Sequence, residues 1–331
     1  GFLFYNPLAV FGELLLDLIG HLLIDGFFCL GEALFSFPNR SFPLANVFVM
    51  DEAPAAARRP QVEVIDASRS IVIPGLVNAH MHSNECFEQG AYDNLPLELW
   101  LVNSYPPFGM PHLSEREHYL RTMICAMESI RSGVTTVQDD VLHVRATPEA
   151  VDGAAKAYRD AGLRAVITVS MWDRPFLDCM PYLREIVPAD LAAELDALPP
   201  VTAEKQVALF ERHHRTWQNH SGRLTIIPAP SGPQRCSDDL LRAAAELSAG
   251  YDLPVHTHVL ESKIQAVTGD IFYGKTLVEY LDEVGMLTPR FTMNHAIWLT
   301  EHDIELLGER KCSITHNPLS NMKLGSGVCP I

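Results

Sequence analysis

Two histidines one residue apart, His80 and His82, follow a short apolar stretch of this chain. The stretch 70–73 is rich in β-branched residues and is followed by a Pro-Gly pair, a pattern that predicts a buried strand, here placed over 71–82. In a strand, residues i and i+2 point to the same face, so the two histidines should project side by side with Cα atoms about 6–7 Å apart. Two imidazoles in this arrangement can reach one metal ion at about 2.0–2.1 Å.

Three more strand-like segments carry histidine at or near their ends. His256 and His258 form a second alternating pair, and Glu261 follows three residues later. His295 and His316 end two further segments. Packing alone explains such a set poorly, because a buried imidazole needs partners for both ring nitrogens. The pattern therefore favours a site built from several strand ends.

Strand-like and helix-like segments alternate along most of the chain. The strand-like segments are 71–82, 134–140, 163–170, 223–230, 253–259, 290–295 and 311–316, and the helix-like segments include 114–131, 149–161, 203–219, 237–249, 275–285 and 301–308. Such alternation predicts an α/β fold with a parallel sheet closed as a barrel. In such barrels the functional side chains lie at the carboxyl ends of the strands, where the four histidine sites fall.

With these motifs, the chain resembles the amidohydrolase superfamily, and in particular the branch of cytosine and guanine deaminases, S-adenosylhomocysteine deaminase and chlorotriazine hydrolases. The matching segments occur in the family's order from about residue 62 to the end: 64–67 with the run Pro-Gly-Leu-Val-Asn-Ala-His-Met-His at 74–82, then 95–101, 132–137, 255–261, 294–299 and 316–327. The resemblance implies a distorted (β/α)8 barrel of the TIM type over 71–331. Residues 1–70 would belong to a small N-terminal β-rich region, either part of a sandwich or a divergent segment.

The resemblance also implies roles for five residues. His80, His82 and His258 would bind one divalent metal, which lowers the pKa of its bound water. Glu261 would act as the catalytic proton shuttle, first as base and then as acid. His295 would be the second catalytic residue and would orient the attacking water and the electrophile.

One metal is expected rather than two. Binuclear relatives use a carboxylated lysine or a glutamate near the fourth strand, and the segment 223–230 contains neither. Zinc and ferrous iron both suit an imidazole-rich site, and zinc is favoured.

The resemblance suggests substrate contacts near the strand ends. Candidate substrate-binding residues are Asn84, Gln89, Trp100, His256 and His316, with Glu85, Trp172 and Asp173 also in suitable positions. His256 could instead support a metal ligand from behind. Trp100 could pack a helix against the barrel, and His316 could be purely structural.

Both ends of the chain depart from the family pattern. The family continues with an eighth strand that carries a metal-binding aspartate, whereas this sequence ends at Ile331, shortly after 311–316. We therefore expect a barrel that is incomplete at its C-terminal end, with the fourth metal ligand unidentified. Residues 1–35 are strongly apolar, but acidic residues interrupt them, so no transmembrane helix is expected there. No basic segment precedes the apolar residues, so a signal peptide is not expected either.

Composition excludes some classes of function. The net charge of −16 argues against a nucleic-acid-binding surface, which needs basic residues. The seven cysteines contain no Cys-x-x-Cys pair, which excludes a zinc ribbon and the zinc motif of the unrelated cytidine deaminases. Scattered cysteines are typical of reduced thiols, and a cytoplasmic location is expected.

The sequence therefore predicts a metal-dependent hydrolase that deaminates or dechlorinates an aromatic nitrogen heterocycle with a metal-activated water. One alternative is an amidohydrolase that opens a cyclic amide. Another is a catalytically incomplete fragment or binding remnant. The expected partner is a small heterocyclic substrate, with no nucleic acid and no membrane, and a homo-oligomer is left open.

Overall fold

The computed structural model describes residues 46–49, 63–66, 73–108, 112–142 and 145–330. The expectations for residues 1–45 lie outside these ranges. The chain divides into two units, Gly1–Pro74 and Gly75–Ile331. In the first unit, strand β1 (Asn46–Val49) pairs in parallel with strand β2 (Glu63–Asp66).

Seven parallel strands form the framework of the second unit. They are β3 (Leu76–Met81), β4 (Val134–Asp139), β5 (Arg164–Met171), β6 (Leu224–Pro230), β7 (Val255–Val259), β8 (Phe291–His295) and β9 (Ser313–Thr315). One sheet has the order β3-β4-β5-β6 and the other has the order β7-β8-β9. β6 and β7 lie next to each other, although no hydrogen-bonded ladder joins them among the described residues. The predicted α/β class with parallel strands is confirmed, and each predicted strand overlaps an observed one.

Helices occupy most of the connections between strands. Their bounds are Leu97–Ser104, Glu115–Arg131, Pro148–Ala161, Leu183–Ile186, Ala189–Asp196, Ala203–Trp217, Asp238–Tyr251, Lys263–Tyr273, Leu277–Glu283, Glu301–Glu309 and Pro318–Lys323. Among the helices that the structure describes, none combines the length and apolar character needed to cross a bilayer.

Local sequence signals explain where the main helices begin. Ser114, Thr276 and Thr300 each form a capping box, in which the side chain accepts a backbone N–H three residues on and a carboxylate there reaches back. Ser262 accepts the N–H of Gln265 and starts the helix Lys263–Tyr273, which the sequence analysis did not predict.

The first barrel strand differs from its prediction. Residues 71–82 were expected to form a buried strand, but β3 begins only at Leu76, and the side chain of Ile73 is 67% exposed. Pro74 has no N–H to donate to a ladder. A Cβ on Gly75 would collide with the side chain of Thr135, so only glycine allows this close approach to β4.

The apolar core lies around β4–β8. Ile167, Ile226, Phe291 and Met293 are completely buried there, together with side chains of the flanking helices. Burying a side chain of this size contributes about 1.5–3 kcal/mol. This packing fixes the ends of β7 and β8, which carry several of the candidate functional residues.

Candidate metal centre

The structure brings the three predicted metal ligands together. One ring nitrogen from each of His80, His82 and His258 lies within 4.8 Å of the other two, and the Nε2 atoms of His80 and His258 are 3.2 Å apart. Tetrahedral ligands at about 2.0–2.1 Å from zinc place their nitrogens about 3.3 Å apart. The donor set and its spacing therefore fit a divalent metal.

Hydrogen bonds behind the histidines set the direction of their rings. The Nδ1 of His82 lies 2.7 Å from the backbone oxygen of Asp140. A carbonyl only accepts, so Nδ1 carries the proton and the lone pair of the ring is on Nε2. The Nδ1 of His258 faces Oδ2 of Asp140 at 3.6 Å.

Asp140 is itself held in place. Its Oδ1 accepts the hydroxyl protons of Thr168, at 2.5 Å, and of Ser170. Burial raises the pKa of this carboxyl group, whereas the charge of His82 and the two hydroxyl donors lower it, and the net direction is upward. Burial also disfavours protonation of His82, but the charges of Glu85 and Asp140 outweigh it and raise the pKa of His82.

His256 lies behind His80 rather than in the cavity. Its Nε2 is 3.0 Å from Nδ1 of His80, and its Nδ1 is 2.6 Å from the side-chain amide nitrogen of Gln138 as placed. Burial lowers the pKa of His256 to about 3, with the nearby imidazoles adding to the effect, so the ring is neutral near pH 7. A neutral His256 can accept the Nδ1 proton of His80 and donate its own to the oxygen of Gln138, since the two orientations of an amide have the same heavy-atom shape. With these two hydrogen bonds, the proton of His80 is on Nδ1 and its lone pair is on Nε2, the atom that faces His258.

Glu261 and His295 form a second buried pair beside the cluster. Oε1 of Glu261 lies 3.5 Å from Nε2 of His295, and both side chains are almost fully buried. Oε2 of Glu261 has no hydrogen-bond partner among the described residues. Nδ1 of His295 is 2.8 Å from Oδ1 of Asn321, which fixes the ring from the other side.

Left-handed backbone conformations at and beside His295 and Glu261 direct these two side chains toward the site. Leu260, Ala296 and His295 itself have φ values of 56°, 49° and 69°. For non-glycine residues such conformations cost about 1–3 kcal/mol each and persist only where the surroundings hold them. Here the N–H groups of Ala296 and Ile297 bond to the carbonyls of Val259 and Leu260, at 3.1 and 3.0 Å. The strand ends are thus tied to each other at the point where the two side chains project.

The site opens into one cavity, and a second cavity borders the first. The first has a volume of about 570 Å³ and is lined by His80, His82, Glu261 and His295. The second has a volume of about 680 Å³ and is lined by aromatic, proline, basic and acidic residues. Glu88 lines both cavities.

Some of the predicted substrate-binding residues line one of the two cavities, and others line neither. Exposed Gln89 and half-buried Trp100 line the first cavity. Asn84 is buried, donates to the Tyr105 hydroxyl at 3.0 Å and lines the second cavity. His256 lines neither cavity, and His316 is exposed after β9 and also lines neither.

The remaining candidates lie nearby. Trp172 and Asp173 line the second cavity. Glu85 lines the first cavity and accepts the hydroxyl proton of Tyr105 at 2.6 Å.

The sequence analysis missed the residues that support the ligands. Gln138 and Asn321 each contact one histidine of the site, and Asp140 contacts two. The run Gln138-Asp139-Asp140 was a usable signal, because three polar residues at a strand end are unusual in a buried sheet. Asn321 gave no such signal, since it lies in a short helix after β9.

The family of the chain follows from comparison with known proteins. The model of the amidohydrolase family matches residues 71–331. The chain therefore belongs to the amidohydrolase family, and the resemblance drawn from its motifs is confirmed.

Curated relatives include two kinds of deaminase. The chain is 35% identical over 268 residues to 5'-deoxyadenosine deaminase of Methanothermobacter thermautotrophicus, covering 81% of this chain and 56% of that protein. It is 31% identical over 292 residues to 5-methylthioadenosine/S-adenosylhomocysteine deaminase of Pyrococcus furiosus, covering 88% and 62%. The chain thus spans little more than half the length of these relatives.

Solved structures share the fold. A zinc-bound adenosine deaminase from Xanthomonas campestris gives a TM-score of 0.67 at 24% identity, covering 88% of this chain and 60% of that one. Guanine deaminase from C. acetobutylicum gives 0.65 at 18% identity, covering 89% and 68%. A zinc complex of atrazine chlorohydrolase from Arthrobacter aurescens gives 0.65 at 22% identity, covering 78% and 56%.

Proposed function

We propose that this chain is the metal-binding part of a hydrolase that removes the amino group from an aromatic nitrogen heterocycle. The observation that carries the proposal is the three-histidine cluster beside the buried pair of Glu261 and His295, with His80 and His82 of the cluster lining the same cavity as that pair. A metal-ligand set beside a carboxylate and an imidazole is the equipment for activating water next to an electrophilic carbon.

His80, His82 and His258 would hold one divalent metal, with zinc favoured over ferrous iron. A metal bound there makes hydroxide available near neutral pH. The protein's contribution is to present three imidazoles to one point, and the hydrogen bonds that His82 and His80 donate to Asp140 and His256 keep their ring protons on the nitrogens that face away.

Glu261 would move the proton. Its Oε2 has no hydrogen-bond partner among the described residues and can take a proton from the attacking water. The same carboxyl group can then return the proton to a ring nitrogen or to the departing amine. Proton transfer by a positioned side chain contributes about 10²–10⁴-fold in rate.

His295 would orient the electrophile. Its contact with Asn321 fixes the ring, so that Nε2 faces Glu261 in the wall of the cavity. The heterocycle would then lie in the first cavity, with its reacting carbon between Glu261 and the histidine cluster.

The names of the relatives suggest adenine nucleosides as the first substrates to test. The second cavity offers space for the part of such a substrate that extends from the ring, because Glu88 borders both cavities. The seven parallel strands would be part of a (β/α)8 barrel over 71–331, with 1–70 as the smaller region. A cytoplasmic setting is supported by the six described cysteines, all of which are free.

The test is an ammonia-release assay on the zinc-loaded chain with 5'-deoxyadenosine, 5-methylthioadenosine and guanine. We expect release from at least one of them, reduced about 10²–10⁴-fold by Glu261→Gln with zinc content unchanged. A zinc-loaded chain that is silent on all three would contradict the deaminase proposal. Ring-opened acid from a cyclic amide would replace it with the alternative hydrolase, and failure to bind zinc would favour the binding remnant.

A further inference from the structure

Asp140 contacts two of the three histidines in the cluster, and its carboxyl group has no part in the steps above. It follows β4 directly and is 1% exposed. Its backbone oxygen is 2.7 Å from Nδ1 of His82, and its Oδ2 is 3.6 Å from Nδ1 of His258. One residue therefore stands behind two ligands that come from different sheets.

We propose that Asp140 is a positioning residue that sets which ring nitrogen of His82 and of His258 faces the metal. The inference rests on the proposed metal site and deepens it. The metal needs an unprotonated nitrogen from each ring, so the proton must be on the nitrogen that faces away. Asp140 presents an acceptor oxygen to that far nitrogen in both rings.

The two contacts differ in how they can be altered. The bond to His82 uses the backbone oxygen, which every residue type supplies. The contact with His258 uses the carboxyl group, which favours the tautomer with the proton on Nδ1. Only the second contact therefore depends on aspartate.

The position of the carboxyl group is fixed by its other bonds. Oδ1 accepts from the hydroxyls of Thr168 and Ser170, both completely buried on β5, and the backbone N–H donates to the oxygen of Met81 at 2.8 Å. These bonds turn Oδ2 toward His258. In an asparagine at this position, the oxygen would be needed by the two hydroxyls, so the NH₂ group would face His258.

Asp140→Asn thus tests the inference with little change of shape. The NH₂ group would donate to Nδ1 of His258 and move the ring proton to Nε2, the atom that faces His80. We expect the zinc affinity to fall about 10–100-fold, as for other partners of metal-binding histidines. Competition with a chromophoric chelator measures the affinity, and ¹⁵N chemical shifts of the metal-free protein report the tautomer.

Asp303→Asn is the matched control. Asp303 is another completely buried carboxylate that accepts from two hydroxyls, those of Thr276 and Thr300, and it lies outside both cavities. We expect it to lower the melting temperature while leaving the zinc affinity unchanged. An equal loss of affinity in both variants would overturn the proposal, because the effect would then be general destabilisation.

The remaining outcomes separate this inference from the proposed function. If the unaltered chain binds no zinc, the metal site itself fails. If it binds zinc and Asp140→Asn keeps both the affinity and the His258 tautomer, only the positioning role fails. Should that variant not fold, Thr168→Val removes one hydroxyl that holds the carboxyl group. A several-fold loss of zinc affinity then supports the proposal, and an unchanged affinity overturns it.

Discussion

The cluster joins two strands that are stabilised very differently. Every residue of β7 is buried, as are all but one residue of β8, and these strands bring His258, Glu261 and His295 to the site. β3 brings His80 and His82, yet none of its residues is fully buried. Packing holds one side of the site, whereas on the other side local contacts such as the hydrogen bond from His82 to Asp140 hold the ligands.

This difference gives the two sides of the proposed metal site different roles. The buried strands provide a rigid frame, in which even costly left-handed backbone conformations persist at Leu260 and His295. β3 provides two histidines whose positions depend on a few polar contacts, with β4 as its ladder partner in the described part of the chain. Metal binding should therefore be sensitive to changes on both sides, and folding stability mainly to changes in the buried strands.

The largest expected effect is the loss of metal binding when the histidine on the buried side, His258, is removed. His258→Ala removes one of three clustered ligands, and we expect zinc affinity to fall by more than the 10–100-fold typical of residues behind the ligands. Elemental analysis after dialysis measures the zinc retained. His316→Ala, at an exposed position outside both cavities, is the control and should retain the metal in full.

A matched pair of core and edge substitutions compares the stabilities of the two sides. Phe291→Ala in β8 should cost about 3–5 kcal/mol of unfolding free energy, because the ring is completely buried. Leu76→Ala in β3 should change it by about 0.5 kcal/mol or less, because that side chain is 54% exposed. Urea denaturation followed by circular dichroism measures both. Equal losses would mean that β3 is packed as firmly as β8.

A smaller effect is expected where β3 begins. Gly75→Ala places a Cβ against the side chain of Thr135 and should cost about 1–3 kcal/mol as an overpacked contact. The double variant Gly75→Ala, Thr135→Ala should recover part of this loss, since it removes two of the colliding atoms. Without recovery in the same denaturation experiment, the collision would not be the cause.

The sequence predicted the framework well because its signals are local. Alternating histidines require only the two-residue period of a strand, and strand–helix alternation requires only the apolar pattern. The exposure of β3 could not be read in this way, because 70–73 has the composition of a core strand and burial depends on what packs against it. The roles of Asp140 and Asn321 were also hidden, since their contacts join residues from different elements.

The most direct test is the position of zinc in crystals of the loaded chain, located by anomalous scattering at the zinc absorption edge. The account predicts one peak per chain, about 2.0–2.1 Å from ring nitrogens of His80, His82 and His258, so that both sides of the site bind the same ion. A peak elsewhere, or one bound by the β7 histidine without the β3 pair, would contradict it.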